Sequence, residues 1–170
     1  SAEIFIAGNS RDTNDLTGKV IVMRLFHDGA LDTSFGVGGI AETTISSDRC
    51  YGMTIDPANR PLLVGSRLNQ MGLWRFTTDG DPDNSFGFSG FMAGPVALAT
   101  EHRVGLDVVL NAADDSIAVC GFRAFNDGDF EAAFWRFENN GAMQNTFGAG
   151  GFRTFASNSA NQNSYATGLA

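Results

Sequence analysis

The chain has 170 residues, with 11 basic and 19 acidic side chains, a formal charge of −8 and a pI near 4.5. This acidic balance argues against nucleic acid or an anionic membrane surface as the natural partner. Its richest apolar run, 20–26, is interrupted by Arg24 and is far shorter than the roughly 18 residues that a membrane span needs. The 21 glycines and 15 phenylalanines indicate a turn-rich, packed protein rather than a disordered one.

The elements that can be predicted are short strands that recur along the chain. The first two lie at 3–8 (EIFIAG) and 19–26 (KVIVMRLF), and strands with matching patterns return at 61–65, 72–77, 116–121 and 132–137. Strands at 39–45, 90–96 and 151–155 follow these pairs. A further strand at 51–56 corresponds to 104–109 and is expected again at 166–170. No segment has a helical pattern of useful length.

One motif organises the chain. It occupies 24–40 (RLFHDGALDTSFGVGGI) and recurs at 75–91 and 136–152, at offsets of 51 and 61 residues. Such periods are typical of propellers and other repeat architectures, and the Asp-Gly and Asn-Gly pairs within each copy predict tight turns. The residues kept in every copy, which we predict to be structural, are Arg24, Gly29, Phe35, Gly36, Arg75, Gly80, Phe86, Gly87, Arg136, Gly141, Phe147 and Gly148.

Four short strands per repeat are the plan of a propeller blade. We therefore predict an all-β, β-propeller-type fold with three four-stranded blades in a single repeat domain, 1–170, whose copies span about 3–55, 61–109 and 116–170. Both termini are expected in the hairpin turn of one blade. Because propellers usually have four to eight blades, we expect either a six-bladed ring formed by head-to-tail dimerisation or further blades in a longer chain.

The segment LDTSFGVGG at 31–39, preceded by Arg24 and Asp28-Gly29, closely resembles the repeat of the bacterial delta-60 family. The segments 6–8, 126–130 and 166–170 also resemble that family, so the resemblance extends over essentially the whole chain. It implies a β-propeller-like module of an exported protein, located in the periplasm, at the cell surface or outside the cell. It implies no activity.

Several acidic residues are candidate ligands for Ca²⁺, because paired Asp oxygens around a tight turn suit a hard cation. The alternative is that these residues shape turns and pair with the repeated Arg. The third copy replaces the acids with Asn140 and Gln144, so we favour the structural role and predict no cofactor. The weak metal candidates are Asp28, Asp32, Asp79, Asp83 and, in a polar loop at 126–131, Asp127 and Asp129.

The sequence offers little support for catalysis. His27 and His102 fall at unrelated repeat positions, and no nucleophile elbow, zinc-protease motif or phosphate-binding loop is present. Cys50 and Cys120 fit neither a disulfide framework nor a metal site. We predict a non-catalytic, exported binding or scaffold module for a protein or glycan ligand. The alternatives are a lyase or hydrolase with its active site in the propeller channel, and a structural surface protein that forms rings or fibres.

Overall fold

The computed structural model describes residues 3–11, 18–44, 47–156 and 163–170. Within these ranges the chain forms β-strands and no α-helix, and a helix able to span a membrane is absent from the part of the chain that the structure describes. The strands are β1 (Ile4–Arg11), β2 (Gly18–Leu25), β3 (Ile40–Glu42), β4 (Asp48–Ile55), β5 (Pro61–Arg67), β6 (Gln70–Arg75), β7 (Phe91–Ala93), β8 (Glu101–Leu110), β9 (Ile117–Phe125), β10 (Phe130–Phe137) and β11 (Phe152–Phe155).

The strands form three antiparallel meanders in chain order: β1-β2-β3, β4-β5-β6-β7 and β8-β9-β10-β11. The prediction of four strands per blade is confirmed for the second and third sheets and is wrong for the first. That sheet has three described strands and lacks a counterpart of β4 and β8. In the other two sheets, β4 pairs with β5 and β8 pairs with β9. The equivalent edge of β1 has no strand beside it in the described chain.

The strand expected at 166–170 is not formed. Instead, the C-terminal segment 163–170 lies over the third sheet, where the Ala166 N–H donates to the Gly121 carbonyl at 3.1 Å and the Leu169 N–H donates to Asp107 Oδ2 at 2.9 Å. Gly121 belongs to β9, which already pairs with a strand on each side. The segment consequently meets a sheet face rather than an edge, and most of its backbone groups cannot form a ladder.

The first strands of the second and third sheets each contain a β-bulge, between Cys50 and Gly52 and between Gly105 and Asp107. Cys50 pairs with Gly65, and Gly105 pairs with the equivalent Gly121. The structural counterpart of 51–56 is therefore 106–111, two residues later than the sequence pattern predicted. The pattern failed here because both strands have an apolar-Gly-apolar triplet, but Gly52 follows the bulge in β4 whereas Gly105 precedes it in β8.

Two apolar clusters lie between neighbouring sheets. Val20, Val22 and Phe35 of the first sheet pack against Leu63 and Trp74 of the second. The second cluster joins the second and third sheets and contains Leu62, Val64, Met71, Leu73, Phe86, Val108, Ile117, Val119, Ala133, Trp135 and Phe137. Each sheet therefore buries its apolar face against a neighbour, which is how propeller blades are stabilised.

The sequence predicts a second polar loop, rich in Asn and Ser, at 156–164, and the two polar loops have different outcomes. The segment 126–131 is a tight hairpin turn, since β9 ends at Phe125, β10 begins at Phe130, and the Gly128 N–H donates to the Phe125 carbonyl at 3.0 Å. The other loop, 156–164, lies mainly outside the described residues, which omit 157–162.

Candidate functional site

The repeated Arg forms a buried hydrogen-bonded group with residues of its own motif. Arg24 Nε donates to Asp32 Oδ2 at 2.8 Å, and Arg24 Nη2 donates to Ser34 Oγ at 3.0 Å. The Ser34 hydroxyl donates to Asp32 Oδ1 at 2.6 Å, and the guanidinium lies over the Phe35 ring at 4.9 Å. The second sheet repeats every contact with Arg75, Asp83, Ser85 and Phe86. Each of these units is therefore a buried structural element in which the charges of the arginine and the aspartate compensate each other.

The carboxyl groups of these units have lowered pKa values. Hydrogen bonds from Ser34 and the Arg24 guanidinium hold the pKa of Asp32 below its ordinary value. Burial would raise the pKa of Asp83, but hydrogen bonds from Ser85 and the charge of Arg75 outweigh it, so that pKa is also lowered. Both side chains are therefore carboxylates at neutral pH, as an ion pair with Arg requires.

Each Arg also connects its sheet to the next one. Arg24 Nη1 donates to the Thr78 carbonyl at 2.6 Å, and the Gly36 N–H donates to the adjacent Asp79 carbonyl at 2.7 Å. The next junction repeats both bonds, from Arg75 to the Asn139 carbonyl at 2.6 Å and from Gly87 to the Asn140 carbonyl at 2.9 Å. We call this pair of bonds the junction clamp. The repeated Arg and the glycine of the Phe-Gly pair therefore hold neighbouring blades together.

The third copy of the motif has no clamp partner among the described residues. Arg136 Nη2 bonds to Ser116 at 2.9 Å and Asp114 at 3.3 Å, while Arg136 Nε is buried without a hydrogen-bond partner. Phe147 is only partly buried, whereas its equivalents Phe35 and Phe86 are fully buried. At the other end of the array, the turn at 27–29 has the same sequence role as the clamp acceptors but receives no such bond within the described chain. The two ends are therefore complementary.

Close contacts and backbone conformation explain why the motif has a glycine at each junction. A Cβ at Gly80 would lie 2.6 Å from the Gly36 nitrogen, and a Cβ at Gly141 would lie 3.0 Å from the Phe86 ring. Nothing lies within 4 Å of a Cβ placed on Gly29. All three have positive φ, which also favours glycine.

A second repeated glycine lies in the second strand of each blade. A Cβ at Gly65 would lie 1.7 Å from the Arg49 carbonyl oxygen, and one at Gly121 would lie 1.9 Å from the Val104 carbonyl oxygen. These oxygens belong to β4 and β8, the first strands of their sheets. The first-sheet equivalent, Gly8, has no atom closer than 3.9 Å to its Cβ position. Here the glycine is present, but no strand within the described residues lies beside it in the way β4 and β8 do.

The candidate metal ligands do not converge. Asp32 and Asp83 face Arg and Ser as described above, while Asp28 Oδ1 accepts from the Ala30 N–H at 2.9 Å and Asp127 Oδ1 accepts from the Asp129 N–H at 3.2 Å. Asp79 is exposed, and its carbonyl takes part in the clamp. Across the described ranges, no group of three or more His, Cys, Asp or Glu side chains is spaced for a metal ion.

Sequence reasoning missed a set of buried acids at the starts of β4 and β8. Asp48 is fully buried and accepts from Arg67 Nε at 2.6 Å and Nη2 at 2.8 Å. Glu101 likewise accepts from Arg103 at 2.8 Å and from Arg123 at 3.4 Å. A signal was present, because Arg67 and Arg123 each follow the repeated strand glycine by two residues.

The histidines and cysteines are not assembled into a catalytic group. His27 and His102 are exposed, and within the described residues neither imidazole hydrogen-bonds to a carboxylate or hydroxyl. Cys50 and Cys120 are buried free thiols, and burial raises the pKa of Cys50 to about 11. A thiol in that state is a poor nucleophile at neutral pH.

The repeated sheets and their clamped junctions define a β-propeller-like repeat protein. Residues 3–35 and 62–86 match a family described as a β-propeller domain of unknown function (DUF5122). The match includes the first two copies of the strand pair and each following motif as far as Phe35 and Phe86, and it covers less than half of the chain. No curated protein matches the sequence. The narrower resemblance to the delta-60 repeat stays a prediction.

Proposed function

We propose that this chain is a non-catalytic scaffold and binding module that associates head to tail with a second copy to complete a six-bladed propeller. The single observation that carries the proposal is Gly8. Gly65 and Gly121 are required because the paired first strand places a carbonyl oxygen within 2 Å of their Cβ positions, whereas Gly8 has open space. A glycine without a steric reason weakens a strand, so we infer that a strand lies across Gly8 in the working assembly.

The C-terminal segment of a second copy can supply that strand. Segment 163–170 lies over the third sheet, much as β8 lies against the second sheet and β4 against the first, but it has no ladder partner. β1 has the complementary deficiency, since it pairs with β2 alone. Pairing segment 163–170 of one copy with β1 of the other would satisfy the free backbone groups of both. An unpaired edge of β1 would otherwise be open to uncontrolled strand pairing.

The junction clamp supports the same arrangement. In a head-to-tail contact, Arg136 Nη1 and the Gly148 N–H of one copy face the carbonyls of the 27–29 turn of the other, as Arg24 and Gly36 face the 78–80 turn within the chain. The apolar faces at the two ends would also be covered. Ile4 and Ile6 of β1 are 44% and 41% exposed. Two identical contacts close the ring and leave no end free.

The binding role is supported by what differs between blades. Clamp and core residues repeat, whereas the strand ends and connecting loops carry different side chains, and loops on a rigid scaffold commonly bind ligands. Export to the periplasm, the cell surface or the exterior is part of the proposal and is supported by the family resemblance. Fractionation of the native host with an antibody to the chain would test it.

The assembly is tested by light scattering after size-exclusion chromatography. We expect wild type at twice the 18.1 kDa chain mass and Gly8→Ala at the single-chain mass with unchanged circular dichroism, because the methyl group has space in the single chain but blocks the added strand. A second pair uses asparagine, which tolerates positive φ. Gly29→Asn should prevent assembly, whereas Gly38→Asn, at an equally open glycine outside the junction, should not.

Wild type that stays at the single-chain mass at every concentration would contradict self-association and would favour further blades in a longer chain. A Gly8→Ala variant that assembles like wild type would contradict the strand-addition step. A Gly29→Asn variant that assembles normally would contradict the clamp geometry at the contact.

A further inference from the structure

A polar cleft lies at the end of the second sheet, where β4, β5 and β8 come together. Its volume is about 370 Å³. Arg49 of β4 is directly opposite Ser66 of β5, so the two side chains lie on one face of the sheet, and His102 of β8 forms part of the neighbouring wall. Tyr51 and Ser47 complete the polar lining. Gly18 of β2 also lines the cleft, and no residue of the junction clamps does.

The polar groups of this cleft have no hydrogen-bond partner among the described residues and are open to an external ligand. Ser66 is only 8% exposed, and within the described residues its hydroxyl makes no hydrogen bond. The same holds for the Tyr51 hydroxyl, the His102 imidazole and the Arg49 guanidinium, and Arg49 has no ion pair with any described acid. Although the Ser66 residue is largely buried, its hydroxyl is not one of the solvent-inaccessible polar atoms without a partner, so it can be reached from the cleft by a ligand.

The charge at the cleft is positive although the chain is acidic overall. The carboxylate of Asp48, which borders the cleft, is neutralised by a bidentate bond from Arg67. Glu101, next to His102 in β8, is neutralised by Arg103 and Arg123. The groups still able to bind an external partner are therefore an arginine, an imidazole and hydroxyls.

We propose that this cleft binds a small hydroxylated carboxylate of the hexuronate type. The Arg49 guanidinium is suited to bind a carboxylate through two parallel hydrogen bonds. Ser66 and Tyr51 present hydroxyls that can donate to or accept from ligand hydroxyls, and Tyr51, 48% exposed, adds an aromatic surface. The size of the cleft is within the range of small-molecule sites, about 300–1,000 Å³. This inference deepens the binding part of the proposed function and does not depend on ring formation.

The test is titration of ¹⁵N-labelled protein with glucuronate, glucose and acetate, followed by amide chemical shifts. We expect saturable shifts with glucuronate that are centred on β4, β5 and the start of β8, weaker binding of acetate and none of glucose. Arg49→Gln should weaken glucuronate binding by about tenfold or more, because a charge-assisted bond is lost. Ser66→Ala should weaken it by a few fold, and Arg153→Gln, at an exposed strand arginine of β11, should bind like wild type.

Three results would overturn the proposal. They are the absence of saturable shifts with glucuronate, equal weakening by Arg49→Gln and Arg153→Gln, and shifts that map to other sheets. Equal binding of acetate and glucuronate would refute the hydroxylated class and leave a general carboxylate site. The mass measurements proposed for ring formation are independent, so failure of one proposal is distinguishable from failure of the other.

Discussion

Replacement of Gly65 with alanine should destabilise the fold strongly, and the structure gives the reason. The added carbon would lie 1.7 Å from the Arg49 carbonyl oxygen, which is about half of an ordinary contact distance of ~3.5 Å. It would also lie 2.7 Å from the Arg49 carbonyl carbon. Relief requires β4 and β5 to separate at the centre of their ladder. Overpacking of this kind costs ~1–3 kcal/mol, and each ladder hydrogen bond that is weakened adds ~1 kcal/mol.

We therefore expect Gly65→Ala to lower the free energy of unfolding by about 3 kcal/mol. Urea denaturation followed by tryptophan fluorescence measures this, because Trp74 and Trp135 are 2% and 1% exposed in the two apolar clusters. Gly121→Ala should behave in the same way, since its Cβ position lies 1.9 Å from the Val104 carbonyl oxygen. Gly8→Ala, measured on dilute single chains, is the matched control. A loss below ~0.5 kcal/mol for Gly65→Ala, the usual range of surface substitutions, would refute the steric argument.

Three further predictions concern the ionisable groups. The pKa of Asp83 is lowered from 3.8 in the folded chain. Its stabilising contribution is therefore complete above that value and is lost as the pH falls through the lower folded pKa. Acid denaturation should be less pH-dependent for Asp83→Asn than for wild type, and an unchanged pH profile would contradict this. Arg75→Met should cost about 2–3 kcal/mol in urea denaturation, less than a fully orphaned buried charge, because Asp83 keeps Arg60 at 2.9 Å; a neutral effect would show that the pair is dispensable. Cys50, with a pKa of about 11, should resist a thiol reagent at pH 8 in the folded chain and react after unfolding, whereas fast labelling of the native protein would contradict its burial.

The repeat plan was predictable because it depends on local chemistry. Alternating apolar residues, Asp-Gly and Asn-Gly turns and the Phe-Gly pair recur along the chain, and they correctly predicted four strands in the second and third sheets. The role of Arg24 as a partner for Asp32 follows from the same pattern, since a buried guanidinium needs a carboxylate. In the third copy, which lacks the acids, Arg136 bonds to Asp114 and Ser116 instead.

Other features depend on contacts between residues that are distant in sequence. The two-residue offset between β4 and β8 arises because their glycines lie on opposite sides of the bulge, which the apolar pattern does not encode. The clamp from Gly36 to the Asp79 carbonyl joins backbone groups, and backbone partners are not visible in side-chain identities. The buried pairing of Asp48 with Arg67 has no motif of its own, and the cleft at Arg49 and Ser66 exists only because three strands meet there.

By itself, the sequence determined an all-β repeat with Arg and Phe-Gly as its structural signature, because strand periodicity and turn chemistry act over a few residues. Only the tertiary structure decided what the repeated glycines are for. Gly65 and Gly121 are required by the strand that pairs with them on one side, and Gly8 has no such neighbour among the described residues. This steric exclusion acts between two paired strands of one sheet, so it appears only when segments that are distant in sequence are brought into register.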